Sequence, residues 1–238
     1  MDYIKSFFFW MAGILFLIII FPVIICATFL FPIEKYDPLL KWACRTLLHL
    51  FFIRVELQGR EHLKEGHAYL YICNHVNLFD IPIFAGYLPH IVRGVELDLH
   101  FEWPIYGAII KRVGNIPISQ KNVHSAQKSY DKAREALRNN ISIVILPEGH
   151  RTRTGTLQPF ARFPFKFAQQ VNADIVPMAL KDLFKIKKKG SWLIRPGTVT
   201  INIGQPISVD ELSQYDSKEL RDLIRNKIAA LIGSENSH

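Results

Sequence analysis

Tyr69-Leu70-Tyr71-Ile72-Cys73-Asn74-His75-Val76-Asn77-Leu78-Phe79-Asp80 passes from an apolar run into a polar turn. The run has the length and composition of a buried strand. His75 leaves that strand, and Asp80 follows five positions later. Five positions turn roughly 140° around a regular helix, so the two side chains meet only if a loop lies between them. Asn74 and Asn77 favour such a loop, because their short amides bond nearby backbone. There Asp80 accepts the imidazole Nδ1 proton and leaves Nε2 free as a base. A His and an Asp also meet at this spacing by chance. The pair gains weight from a second polar cluster at another strand end, Leu146-Pro147-Glu148-Gly149-His150-Arg151-Thr152-Arg153-Thr154-Gly155.

The chain of 238 residues has room for one α/β domain plus an appendage. Hydrophobic residues make up 49% and mean hydropathy is +0.12, high for a water-soluble chain. The excess lies at the front, where residues 7–33 carry no charge. That run exceeds the ~20 apolar residues a helix needs to cross a bilayer. It is too long for a signal peptide, only Lys5 precedes it, and no clean small-x-small cleavage site follows. A retained anchor is expected, with Pro22 and Pro32 leaving a kinked or re-entrant course open. Behind it, Lys41, Arg45 and His49 recur every four residues on an otherwise apolar helix, a stripe suited to the headgroup layer. The expected division is 1–54 for anchor and interfacial helix, and 55–238 for the main domain.

Net charge is +8 with a pI near 9.4. Without an aromatic-interleaved basic stripe or a nucleic-acid reading motif, an anionic membrane surface is the simpler acidic partner. The densest run, Lys185-Ile186-Lys187-Lys188-Lys189, is expected to be a solvated loop. The positive-inside rule places the body on the cytoplasmic face. Cys26, Cys44 and Cys73 are too few for a disulfide framework, and Cys73 fits a buried strand thiol better than a nucleophile.

After the anchor, strand and helix patterns alternate. Strands are expected at 53–58, 68–73, 91–94, 115–118, 142–146, 174–180, 192–195 and 198–204. Helices are expected after Asp80, at 103–112, 123–139 and 162–171, and from Asp216 with Glu219 as its capping partner. Arg195-Pro196-Gly197-Thr198 has the composition of a hairpin turn. The alternation predicts an α/β fold, and that hairpin makes its β-sheet mixed; helices flank the sheet, with an N-terminal membrane-anchoring helical segment.

A serine nucleophile would need an elbow such as G-x-S-x-G, which the sequence lacks. The His–Asp spacing fits no common zinc pattern, so no metal is expected. What remains is a base acting on another molecule's hydroxyl. Arg151 and Arg153, after a Pro-Glu-Gly turn, offer guanidinium forks for a phosphate; a solvent-exposed basic loop is the plainer alternative.

Asn74-His75-x4-Asp80 together with Pro147-Glu148-Gly149-His150-Arg151 resembles the glycerolipid acyltransferase family that includes 1-acyl-glycerol-3-phosphate acyltransferases. The resemblance runs through Trp103-Pro104-Ile105-Tyr106-Gly107, Gly114-Asn115-Ile116-Pro117-Ile118, Ile175-Val176-Pro177-Met178 and Arg195-Pro196-Gly197-Thr198, over roughly residues 55–210. It implies metal-free and cofactor-free acyl transfer from acyl-CoA or acyl carrier protein to a lysophospholipid hydroxyl. The leading acceptor is 1-acyl-glycerol-3-phosphate, giving phosphatidate. His75 is then the base and Asp80 its orienting partner. Asn74, Gly114, Glu148, Gly149, Arg151, Arg153 and Pro177 would shape the substrate site. Gln120 stands where the family usually has a phosphate-holding Arg, and Lys121 is the nearest replacement charge. Other acceptors, lysophosphatidylglycerol or a lyso-ornithine lipid, therefore stay open, as does a non-catalytic membrane-binding relative.

Overall fold

The computed structural model describes residues 2–104, 106–118 and 123–233. Two helices come first, α1 (Asp2–Leu30) and α2 (Ile33–Leu50). Pro32 separates them, because it has no N–H to donate and disfavours a helical Phe31. Pro22 lies inside α1, which continues through it. The pair runs antiparallel: Ile20 and Ile24 cluster with Ala43 near Leu39 and Leu40. Nearer the start of α1, Gly13 lies against the Phe51 ring. A Cβ there would come within 2.5 Å of that ring, so glycine permits the approach.

The body is a seven-stranded sheet in the order β1-β7-β6-β2-β5-β3-β4. Its strands are β1 (Ile53–Gln58), β2 (Leu70–Cys73), β3 (Ile91–Leu97), β4 (Ile116–Ile118), β5 (Ile141–Ile145), β6 (Ile175–Lys181) and β7 (Gly197–Ile203). Neighbours pair in parallel except β6 with β7. Helices cover both faces, which is why β2 is apolar at every position. Tyr71 and Cys73 point into a core with Leu48 of α2 and Ile83 of α3 (Asp80–Tyr87). Leu70 and Ile72 point the other way, into a core with α5 (Val123–Arg138), α6 (Phe163–Val171) and α9 (Ser217–Gly233). Phe79, Phe165 and Phe167 are fully buried, each stabilising by about 1.5–3 kcal/mol. Short helices α4 (Tyr106–Arg112), α7 (Leu183–Ile186) and α8 (Val209–Leu212) complete the fold. The Glu219 cap forms as expected, its carboxylate accepting the Asp216 N–H at 2.9 Å while Asp216 accepts the N–H of Lys218 and Glu219.

Three expectations are corrected. Residues 192–195 are not a strand, and no hairpin joins them to β7; the sheet is mixed because β7 runs antiparallel to β6. The segment finds its backbone partners elsewhere, with Ile194 bonded to Ser6 and the Arg195 N–H bonded to Ile186. The polar stripe on α2 is largely turned to the protein. Lys41 Nζ donates to the Pro89 carbonyl at 3.1 Å and pairs with Asp37, and Arg45 Nε donates to the Gly86 carbonyl at 2.6 Å. These cations satisfy carbonyls at the C-terminal end of α3, where the helix dipole favours positive charge. Only His49 stands exposed without such a bond. Finally, the expected division at residue 54 falls inside β1, and Leu48 and Phe51 ahead of it share a core with Tyr71 and Met178.

Candidate active site

β2 and β5 lie side by side and parallel. The chain leaves β2 for α3 on one face and leaves β5 for α6 on the other, so their loops part at the carboxyl edge. Such a switch point opens a crevice.

Asn74 ends β2 by imitating a further ladder rung. Its Oδ1 accepts the Leu180 N–H at 2.8 Å and its Nδ2 donates to the Leu180 carbonyl at 3.1 Å. His75 is then gripped from the β5 side: its N–H donates to Glu148 Oε1 at 2.6 Å and its carbonyl accepts the Thr152 N–H at 2.9 Å. The ring itself meets Asp80, with Nδ1 to Oδ2 at 2.6 Å. Asp80 is fully buried, and its oxygens also accept the Val76 N–H at 2.8 Å and the Asn77 N–H at 3.0 Å. A carboxylate taking two backbone N–H donors is an acceptor for the third group as well. It therefore fixes the imidazole proton on Nδ1. The His75 side chain is 22% exposed, and Nε2 has no partner among the described residues.

Asn77 locks the turn from within. Its Oδ1 accepts the Phe79 N–H at 2.9 Å, and its Nδ2 donates to the carbonyls of Lys187 at 2.7 Å and Leu183 at 3.2 Å. Glu148 is nearly buried; besides His75 it accepts the Gln158 N–H at 2.9 Å. Burial holds its carboxyl above the ordinary carboxylate range, against the lowering pull of those two N–H groups. Cys73 is fully buried, and burial, then nearby Asp80, pushes its thiol far up. It is no nucleophile.

The second loop is open outward. Gly149 sits at φ 69° with nothing within 4 Å of where a Cβ would stand. The Arg151 and Arg153 side chains are exposed, and neither guanidinium has a partner among the described residues. Thr152 between them points inward, its Oγ1 donating to the Thr156 carbonyl and accepting the Thr154 and Gly155 N–H groups.

The loops thus bring together His75, Asp80, Glu148, Gly149, Arg151 and Arg153. Asn74 and Glu148 shape the loops, their polar atoms being taken by backbone. Gly114 is not at this edge: register places it level with Leu70, near Arg93. Pro177 is buried within β6, its ring against the position of Gly204 and its carbonyl accepting the Gly204 N–H. Lys121, with Gln120, lies outside the described residues. Asn77, Thr152 and Lys187 support the site without being among its expected residues. Asn two positions before Phe79 is an Asx-turn signal for the first. Thr152 acts through its backbone N–H, which carries no sequence signal. Lys187 corrects the solvated-loop expectation: it is buried, and its ammonium is bonded to the Ser191 and Lys188 carbonyls.

Comparison with known proteins bears on the family and the fold. Residues 54–181 match the family model described as Acyltransferase. The chain is 31% identical over 143 residues to a 1-acyl-sn-glycerol-3-phosphate acyltransferase of Cocos nucifera, covering 60% of this chain and 46% of that protein. The relative from Limnanthes douglasii is 30% identical over 166 residues, covering 69% and 58%. The chain spans about half the length of these curated relatives. Among solved structures, the 1-acyl-sn-glycerophosphate acyltransferase PlsC from Thermotoga maritima shares the fold, with a TM-score of 0.81 at 18% identity over 100% of this chain and 98% of that one.

Proposed function

The chain belongs to the Acyltransferase family, and from that premise we propose that it transfers an acyl chain from a thioester donor to the free hydroxyl of 1-acyl-glycerol-3-phosphate, giving phosphatidate. One observation carries the reading: His75 Nε2, its ring set by buried Asp80, has no partner among the described residues, and the neighbouring loop at the same sheet edge carries two guanidinium groups that likewise have none there. Nε2 takes the acceptor hydroxyl proton as that oxygen attacks the thioester carbonyl. The C–S bond then breaks, and the imidazolium returns its proton to the departing thiolate. General-base assistance of this kind supplies roughly 10²–10⁴ in rate. Arg151 and Arg153 bind the acceptor phosphate, to which planar guanidinium forks are matched. Acyl-CoA and acyl carrier protein both present the required thioester.

The same reading seats the protein on a membrane. α1 is the one helix among the described residues long and apolar enough to cross a bilayer. It is nevertheless held to the body at both ends, by Ser6 to Ile194 and by the Arg112 guanidinium to Thr28. Those attachments are roughly 33 Å apart along the helix at 1.5 Å per residue, about the full hydrocarbon thickness. A crossing α1 would drag the polar body into the bilayer with it. We therefore infer that α1 lies in the membrane plane with Tyr3, Phe7, Met11, Ile14, Ile18 and their exposed neighbours turned to lipid. The net charge of +8 favours the anionic cytoplasmic leaflet.

A panel of lysolipid acceptors offered with one labelled acyl-CoA, then with the same chain on acyl carrier protein, tests the assignment. Labelled phosphatidate should dominate. Faster labelling of lysophosphatidylglycerol would move the acceptor assignment, and labelling of no lysolipid would overturn the reading.

A further inference from the structure

Residues 185–195, from the last turn of α7 toward β7, form a strap that is fixed on two sides. Toward the crevice, Asn77 holds the Lys187 carbonyl and Lys189 Nζ donates to the Arg151 carbonyl at 3.2 Å. Toward α1, Ser6 Oγ accepts the Ile194 N–H at 3.0 Å, and Trp10 Nε1 donates to the Trp192 carbonyl at 2.9 Å. The Trp10 and Trp192 rings also meet, with centroids 5.4 Å apart. Inside the strap the buried Lys187 ammonium, bonded to Ser191 and Lys188 carbonyls, keeps it folded.

The outer surface of this strap is a cleft of about 190 Å³ lined by Lys185, Ile186, Lys188, Ser191, Leu193 and Arg195. That is well above the roughly 10–15 Å³ needed to hold one water, so the cleft has room for a group larger than water. Lys185 is paired with Asp182 at 2.6 Å, and Lys188 lies over the Phe184 ring. The Arg195 guanidinium has no partner among the described residues, and no acidic side chain lines the cleft. Its surroundings are apolar and open to solvent: Trp192 is 52% exposed, and Phe52, whose carbonyl holds the Gly197 N–H, is 68% exposed. Cations beside exposed aromatic rings are the composition of a headgroup layer, not of a site for a soluble anion.

We propose that this cleft binds the phosphate of an anionic bilayer phospholipid that is not a substrate, with Lys188 and Arg195 as its principal cations. The proposal rests on the in-plane seating of α1 argued above. Because the strap is bonded to Asn77 and Arg151, a lipid held here sets the crevice against the leaflet that supplies the acceptor.

Flotation of the full chain with phosphatidylcholine vesicles, with and without one part in five phosphatidylglycerol, tests it. Wild type should bind the anionic vesicles more tightly. Each cation near such a surface is worth roughly a fivefold change, equivalent to about 1 kcal/mol. Lys188→Gln/Arg195→Gln should therefore lose roughly 25-fold of the anionic preference while binding neutral vesicles, and melting, like wild type. A control pair on the opposite face of the sheet, Lys166→Gln/Lys218→Gln, should keep the preference. Equal wild-type binding to both vesicles would overturn the cleft alone, as would an equal loss in the control pair, which indicates diffuse charge. Release from anionic vesicles by inorganic phosphate at constant ionic strength would also overturn it, in favour of a soluble anion. Wild-type binding to neither vesicle would overturn the seating of α1 and this proposal with it.

Discussion

The loops after β2 and β5 leave the same edge of the sheet side by side, yet one is closed on itself and the other is not. In the β2 loop, buried Asp80 accepts three donors, and the polar atoms of Asn74 and Asn77 all have backbone partners. The β5 loop turns Glu148 and Thr152 inward onto His75 and leaves Arg151 and Arg153 facing out. The difference follows from the two tasks. A base works only in one orientation, so its supports must be satisfied and rigid. A site for a charged ligand must leave its own charge unpaired until the ligand arrives.

That contrast can be broken in order of expected effect. In the closed loop, His75→Ala should cut kcat by roughly 10²–10⁴ with little change in melting temperature. In the open loop, Arg151→Ala or Arg153→Ala should leave kcat and stability nearly intact. Each should raise KM for a phosphate-bearing acceptor by roughly tenfold or more, since a charge-assisted hydrogen bond is worth about 1.5–3 kcal/mol. The acyl-donor KM should stay put. If an Arg variant lowered kcat instead, the division of labour between the loops would fail.

Asn77→Ala belongs to the closed loop and touches no substrate. It strands the Leu183 and Lys187 carbonyls, and urea titration should show a loss of about 1–3 kcal/mol. A stability loss below the scatter of such titrations would mean the turn is held by Asp80 alone. The smallest effect concerns pH. Burial raises the Glu148 carboxyl in the folded state, so the native protein binds a proton that the unfolded chain has released. Its contribution to stability is fully present below the unfolded value and is lost as pH rises through the raised folded value. Thermal melts of wild type should show that decline just above the ordinary carboxylate range, and Glu148→Gln should remove it.

The sequence carries the closed loop better than the open one. An apolar strand, two asparagines and a five-residue spacing already specify where His75 and Asp80 must sit. The α/β sheet is legible from alternation, but its mixed character is inferred from a hairpin at Arg195-Pro196-Gly197-Thr198 that does not form; the antiparallel pair is β6 with β7. Turn composition is local, whereas the backbone partner of Ile194 is Ser6, 188 residues away. The stripe of Lys41 and Arg45 shows the same limit, because periodicity defines a helical face without saying what lies opposite it. Here that is the end of α3. The resemblance places Glu148 among the groups of the substrate site, yet both its oxygens hold backbone. Gly114 and Pro177 belong to motifs whose sheet positions only the register reveals.

The central claim is that His75 and Asp80 act as one unit, and a double-mutant cycle tests it most directly. Initial acyl-transfer rates should be measured for wild type, His75→Ala, Asp80→Ala and the double variant, with melting curves to confirm folding. If Asp80 works only by orienting His75, removing it after the imidazole is gone costs no further activity. The double variant should therefore match His75→Ala alone. Losses that multiply, the double variant falling by the product of the two single effects, would contradict the account.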